Sequence, residues 1–196
     1  ALEQYLVSLR RYVLSESEVQ KLAREIYSNH KQAIDLIIEA RPDEQQEIRE
    51  IVEEVVGARA ELQPDKSTKA SVRYFDPRWD AHPELVEGEG WTSTGRMILL
   101  EFDNRKDRLD LRLYVGPGPE STRQRVLDEA IRRAITPKNK KLGRKWTGLR
   151  NWEILTAQDY EDGDLEAARR KIEDSVESFI TKDLDGIAQM VDAALK

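Results

Sequence analysis

Residues 96–115 carry the clearest indication of the fold and read RMILLEFDNRKDRLDLRLYV. Two apolar segments, 96–103 and 109–115, flank a polar centre. The second alternates apolar and charged residues, as a half-exposed strand does. This pattern predicts two strands joined by a hairpin over 104–108, with several basic side chains at its tip.

The neighbouring segments extend the hairpin into a small sheet. Residues 71–75 predict a short strand before it, and Gly116-Pro117-Gly118-Pro119 ends its second strand. Apolar residues recur at three- and four-residue spacing over 121–135, which predicts a helix. A last strand is predicted near 152–155. The sheet is therefore expected to be antiparallel and interrupted by one helix.

Helices are predicted at both ends of the chain. Residues 164–195 predict one or two closing helices, with Asp164 as the N-cap and Lys182-Asp183 as a joint. Helical spacing of apolar residues predicts three helices within 1–57, and Gly57 is placed to end the third in a left-handed cap. The fold class is α+β, with N-terminal helices, a small antiparallel sheet with an inserted helix, and C-terminal helices.

Two regions are expected, a helical region over 1–57 and an α+β domain over 71–196. The helical pattern already runs at the first residue. We therefore expect the helical region to continue from a missing N-terminal part of a longer protein. His30 falls on an apolar helix face, where a buried, hydrogen-bonded histidine is expected.

Composition excludes several classes of protein. None of the 196 residues is cysteine, so a disulfide framework and a thiolate metal site are excluded. No apolar run approaches the roughly 18 residues of a membrane-spanning helix, and no signal peptide opens the chain. We expect a cytoplasmic protein that has no membrane partner.

One strongly basic tract, residues 132–150, stands out in an otherwise acidic chain. The net charge of the whole sequence is −6, whereas this tract carries eight basic side chains and no carboxylate. The rest of the chain therefore carries −14. Clustered cations of this kind are typical of nucleic-acid binding, because they release counterions from phosphates. No base-reading motif accompanies the tract, which favours phosphate contact over sequence readout.

Ten residues are the candidate nucleic-acid contacts. Those in the tract are Lys138, Lys140, Lys141, Arg144, Lys145, Trp146 and Arg150. A second candidate contact is the hairpin tip, with Arg105, Lys106 and Arg108. Trp146 and Trp152 could stack on bases, although a tryptophan beside a strand more often packs in a core. The alternative for the whole tract is a solvated surface loop.

Catalytic residues are less evident. Asp103, Asp107 and Asp110 cluster on the hairpin, and Asp110-Leu111-Arg112 imitates the acid-x-base pattern of metal-dependent nucleases. Arginine stands where that chemistry uses lysine, and arginine cannot be tuned as lysine can. Strand alternation explains Asp110 and Arg112 as solvent-facing residues. No catalytic residue, metal ligand or cofactor is assigned to this chain, and His82 is expected to have a structural role.

Six segments spread over most of the chain match one known pattern. They are Gln4-Tyr5, Asn29-His30-Lys31-Gln32-Ala33, Trp91-Thr92-Ser93, Leu100-Glu101-Phe102-Asp103-Asn104-Arg105, Val115-Gly116-Pro117-Gly118 and Pro137-Lys138-Asn139-Lys140-Lys141-Leu142-Gly143-Arg144-Lys145-Trp146. Together they resemble the C-terminal part of a family of bacterial proteins in the PD-(D/E)XK nuclease superfamily. In that superfamily an Asp and a Glu-x-Lys on adjacent strands bind the metal and activate water for phosphodiester hydrolysis.

The resemblance implies that the catalytic strands precede the helix matching Leu2 to Leu14. The parent protein would then be a nuclease that uses Mg²⁺, and no catalytic residue is carried over onto this chain. We therefore expect a non-catalytic C-terminal module that contacts nucleic acid, DNA above all, through the basic side chains of residues 138–150. The alternatives are an interaction or oligomerisation module, such as a homo-oligomer, without nucleic-acid binding, and an independent metal-dependent hydrolase built on the hairpin.

Overall fold

The computed structural model describes residues 16–39, 43–161 and 163–196. The chain divides into two compact units, residues 1–42 and residues 43–196. The predicted opening helix over 2–14 lies outside the described residues. Among the described residues, no helix is both long enough and apolar enough to cross a membrane.

The described part of the first unit is one helix, α1 (Glu16–Glu39), in the region where apolar spacing predicts one. The helix is kinked at His30, whose φ of −124° and ψ of 23° are not helical. Several of its apolar side chains are exposed, among them Val19, Leu22 and Ile26, which keep 49%, 47% and 48% of their surface. His30 is exposed as well. The prediction that His30 is buried is wrong, because the apolar face on which it was placed is itself uncovered.

A five-stranded antiparallel sheet forms the centre of the second unit, and its strands lie side by side in chain order. The strands are β1 (Gln63–Pro64), β2 (Ser71–Phe75), β3 (Ile98–Asn104), β4 (Leu109–Val115) and β5 (Thr147–Leu155). The predicted β3–β4 hairpin is confirmed, with a register from Ile98↔Val115 to Asn104↔Leu109. β5 is longer than predicted, because it begins inside the basic tract.

Helices follow and precede the sheet, so the predicted α+β class is confirmed. They are α2 (Glu44–Gly57), α3 (Glu120–Arg132), α4 (Ala157–Glu161), α5 (Leu165–Phe179) and α6 (Asp185–Leu195). A π-helical turn, Ile180–Leu184, joins α5 to α6 at the predicted joint. Asp164 caps α5 as predicted, since its carboxylate accepts a hydrogen bond from the backbone N–H of Ala167 at 2.9 Å.

The two units divide after residue 42, so α2 belongs to the second unit. From the sequence, this helix was expected in the N-terminal helical region. Its apolar stripe is buried where the helix packs against α5, β2 and β3, and it consists of Ile48, Ile51, Val52, Val55 and Val56. The predicted left-handed cap at Gly57 is wrong. Gly57 does not have a positive φ, and the next residue, Ala58, keeps a right-handed φ of −79° while its N–H donates to the carbonyl of Glu54.

The core lies on one face of the sheet. Leu100 and Phe102 of β3 and Leu113 of β4 are almost completely buried there. α2 packs against β2, β3 and α5, α5 also packs against β5, and α3 packs against α6. Burying a side chain of this kind contributes about 1.5–3 kcal/mol. Because strand side chains alternate, the intervening residues of β2, β3 and β4 lie on the other face, where the candidate site is found.

Candidate nucleic-acid interface

The connection between α3 and β5 ends in a basic segment, residues 138–146, which we call the basic loop. This loop carries most of the predicted contacts. The cations of this loop are all exposed: Lys138, Lys140, Lys141, Arg144 and Lys145. Within the described residues, none of them lies within 4.0 Å of a carboxylate oxygen. Trp146 is 47% exposed, and the ammonium group of Lys145 lies 5.7 Å from the centre of its ring. The loop therefore presents positive charge that no acidic side chain neutralises.

A buried arginine holds this loop in place. Arg123 of α3 is only 5% exposed, and its guanidinium donates to the carbonyl of Gly143 at 2.6 Å and to the carbonyl of Arg144 at 3.2 Å. The N–H of Gly143 donates to Oγ1 of Thr147 at 2.9 Å. A Cβ at Gly143 would lie 2.1 Å from the carbonyl oxygen of Trp146, so only glycine fits this approach. The cations thus project from a backbone that is fixed at its C-terminal end.

Two other cations of the tract are neutralised at the end of α3. The guanidinium groups of Arg132 and Arg133 both contact the carboxylate of Glu129. Hydrogen bonds from Arg132 and then Arg133 lower the pKa of Glu129 to about 2. These arginines therefore have a partner within the same helix at neutral pH.

Arg150 of β5 is also ion-paired. Its Nη1 lies 3.0 Å from Oδ1 of Asp183, in the turn between α5 and α6, and its guanidinium lies over the ring of Trp152 at 4.9 Å. Trp152 packs edge to face against Phe179 at 5.1 Å, and its Nε1 donates to Asp183. Arg150 is thus joined to the helices through Asp183, and Trp152 has the core role that was the alternative to base stacking.

The arginines of the hairpin tip surround a buried pair of carboxylates. Asp103 and Asp110 face each other across β3 and β4, and their side chains are only 1% and 7% exposed. Arg105 Nε lies 2.6 Å from Asp103, and Arg108 Nε lies 3.4 Å from Asp110. Arg112 lies 2.8 Å from both carboxylates. Both oxygens of Asp103 meet these guanidiniums as ion pairs without well-directed hydrogen bonds.

This arrangement corrects one prediction. Asp110 does not face solvent as strand alternation suggested, because the guanidiniums of Arg108 and Arg112 cover it. Burial opposes the charge of Arg112, but its hydrogen bonds to Tyr114 and Asp110 raise its pKa. Lys106, the remaining predicted residue of the tip, is exposed.

In the part of the chain that the structure describes, no cluster of three or more acidic or histidine side chains could hold a metal ion.

Sequence reasoning missed a groove on the sheet face opposite the core, which we call the sheet groove. Its first compartment has a volume of about 330 Å³ and is lined by Arg73, Trp91, Glu101, Tyr114 and Trp146. Its second compartment has a volume of about 350 Å³ and is lined by Arg112, Tyr114, Lys140, Gly148, Leu149, Arg150 and Asn151. Tyr114 is the wall that the two compartments share. The groove thus brings Trp146 and Lys140 of the basic loop together with residues of four strands.

His82 lies outside this groove and has a structural contact. Its Nε2 is 2.8 Å from Oδ1 of Asp192 in α6, and this hydrogen bond lowers the pKa of Asp192. The contact ties the segment between two short 3₁₀ helices, Pro77–Ala81 and Pro83–Val86, to the C-terminal helix.

No protein-family model, curated protein or solved structure matches the chain.

Proposed function

We propose that this chain contacts nucleic-acid phosphates through the basic loop, as a non-catalytic module of a nuclease-like protein. One observation carries the proposal: five exposed cations share one short loop and have no carboxylate partner among the described residues. Such cations can exchange small counterions for phosphates, whereas an ion-paired arginine must first give up its carboxylate. The nuclease part of the proposal comes from the sequence resemblance alone.

The number of these cations sets how strongly the binding constant should depend on salt. Each phosphate that a cation neutralises contributes about 0.9 to the slope of log K against log salt on duplex DNA, and about 0.7 on a single strand. Five contacts would give a slope of about −4.5 on duplex DNA and about −3.5 on a single strand. The net charge of −6 opposes binding at longer range, so the affinity of this chain by itself is expected to be weak and highly sensitive to salt.

A pair of double charge reversals tests the proposal. Fluorescence anisotropy with labelled duplex and single-stranded DNA, over a range of salt concentrations, would compare the chain with Lys140→Glu/Lys141→Glu. The matched control is Arg170→Glu/Lys182→Glu, since these two cations are also exposed but lie in α5 and the adjoining turn. The loop variant should lose most binding on every sequence, and the control should lose little. Equal losses in both variants, or no binding at low salt, would refute the proposal.

A second candidate function rests on α1. Apolar side chains of this helix are exposed, and the largest are Val19, Leu22, Ile26, Tyr27, Leu36 and Ile37. This uncovered face favours self-association of the chain, in which α1 would pack against α1 of a second copy. Sedimentation equilibrium would test this candidate by comparing the chain with Leu22→Glu/Ile26→Glu. A stable oligomer that the substitutions dissociate, together with no DNA binding, would favour self-association over the first proposal.

A further inference from the structure

The sheet groove has a polar floor formed by residues in register on four strands. Arg73 of β2 lies opposite Glu101 of β3, Glu101 lies opposite Arg112 of β4, and Arg112 lies opposite Asn151 of β5. Arg73 Nε lies 2.7 Å from Oε2 of Glu101, and Arg112 Nε donates to Oδ1 of Asn151 at 3.1 Å. These contacts hold the side chains in place along a line across the sheet, so the floor of the groove is preorganised.

The first compartment is aromatic. Trp91 and Tyr114 meet edge to face, with ring centres 6.4 Å apart, and Arg73 lies 5.7 Å from the Trp91 ring. Gly116 makes this position possible, because a Cβ there would lie 1.9 Å from a ring carbon of Trp91. Trp146 completes the lining from the basic loop and is about half exposed. An exposed indole beside a cavity offers a flat surface on which a base can stack.

The second compartment is cationic. It shares Tyr114 with the first compartment, and its cations are Lys140, Arg112 and Arg150. Arg112 and Arg150 are paired with carboxylates, so Lys140 supplies the charge that can meet a ligand. Gly148 lies beneath the Tyr114 ring, where a Cβ would be 3.3 Å from a ring carbon. Lys140 has no carboxylate partner among the described residues, so its charge is available to an anion. The groove therefore places an aromatic space next to a positive one, which matches the alternation of base and phosphate in a nucleotide chain.

We infer that the sheet groove binds single-stranded nucleic acid, with a base in the aromatic compartment against Trp146 and an adjoining phosphate at Lys140. This inference rests on the proposed function and narrows its substrate class. A base within a duplex is stacked and paired, so it cannot enter the first compartment, whereas an unpaired base can. Both volumes fall within the range of about 300–1,000 Å³ that is typical of small-molecule and cofactor sites.

The test compares single-stranded and duplex affinity of the full chain in Trp146→Ala. Trp146 is exposed, so its removal should leave the fold intact, and Val86→Ala is the matched control because Val86 is an exposed apolar residue of the second unit outside the groove. Anisotropy with a labelled thymidine oligonucleotide should show roughly a tenfold loss for Trp146→Ala, since a stacked base is worth that much. Duplex affinity of Trp146→Ala, and both affinities of Val86→Ala, should be unchanged.

Other outcomes separate this inference from the proposed function. If Trp146→Ala weakens single-strand and duplex binding equally, or weakens neither, the inference is overturned. The proposed function survives that result as long as Lys140→Glu/Lys141→Glu still abolishes binding. If thymidine monophosphate competes as tightly as the oligonucleotide, the groove is a site for a free nucleotide and the inference is again overturned. If the chain binds no nucleic acid at low salt, both the inference and the proposed function fail.

Discussion

The hairpin tip and the basic loop are both rich in cations, but the two regions use their charge differently. Strand register places Asp103 opposite Asp110, and two like charges in that position repel each other unless cations neutralise them. The arginines of the hairpin supply those cations. The basic loop is not paired with a strand, and the surrounding tract contains no carboxylate. Two clusters of cations in one chain can therefore differ in whether their charge is available to a ligand.

The largest expected effect comes from removing the buried carboxylate at the hairpin. Asp103→Asn should lower the free energy of unfolding by about 3 kcal/mol, because Arg105 loses its buried carboxylate and Arg112 loses one of its two. Urea denaturation at neutral pH would measure this loss. Asp107→Asn is the matched control, because Asp107 is exposed at the same hairpin and should change stability by less than about 0.5 kcal/mol. If the two variants are equally stable, the arginines of the tip do not have the structural role inferred here.

The next effect concerns the support of the basic loop. Arg123→Met should cost about 2 kcal/mol, because the carbonyls of Gly143 and Arg144 lose their buried donor. Arg125 on the same helix makes only a surface ion pair with Glu84, so Arg125→Met should cost less than about 1 kcal/mol. Thermal unfolding of both variants would check this difference. Similar losses in the two variants would mean that Arg123 does not anchor the loop.

The fold was largely predictable from sequence because its signals are local. The β3–β4 hairpin alternates apolar and charged residues around a short polar turn, and Asp164 precedes a helical apolar pattern. The start of β5 was missed because Arg150, Asn151 and Glu153 are all exposed, so the strand shows no clear alternation. The start of β5 is defined instead by the pairing of this strand with β4.

The site was only partly predictable, because its geometry depends on contacts between distant segments. The basic loop was visible as a run of cations without carboxylates. Sequence could not show that Arg150 meets Asp183, since the fold brings a strand and a helical turn together. The sheet groove was also invisible, because only strand register and loop placement bring Arg73 to Trp91 and Trp146, and Arg112 to Lys140.

Single neutralisations sharpen the comparison between the two cationic regions. Lys141→Gln should reduce the salt slope of duplex binding by about 0.9, the contribution of one phosphate contact. Arg105→Gln should change the slope by less than half of that, because the charge of Arg105 is already offset by Asp103. Anisotropy titrations at several salt concentrations would measure both slopes. An equal reduction in the two variants would show that ion pairing does not remove the hairpin from the interface.

The smallest effect concerns Arg132 and Arg133, which belong to the basic tract but are paired with Glu129. The pKa of Glu129 falls from 4.5 to about 2 in the folded state, first through its hydrogen bond with Arg132 and then through that with Arg133. Because the folded pKa is the lower one, the pair stabilises the protein fully above pH 4.5, and this contribution is lost as the pH falls toward 2. The difference in unfolding free energy between the chain and Glu129→Gln should therefore be constant near neutral pH and shrink below pH 4.5. Urea unfolding over a pH series would measure it, and a difference that grows on acidification would contradict the pairing. Since Glu129 stays ionised near neutral pH, changes of nucleic-acid affinity in that range cannot come from releasing these two arginines.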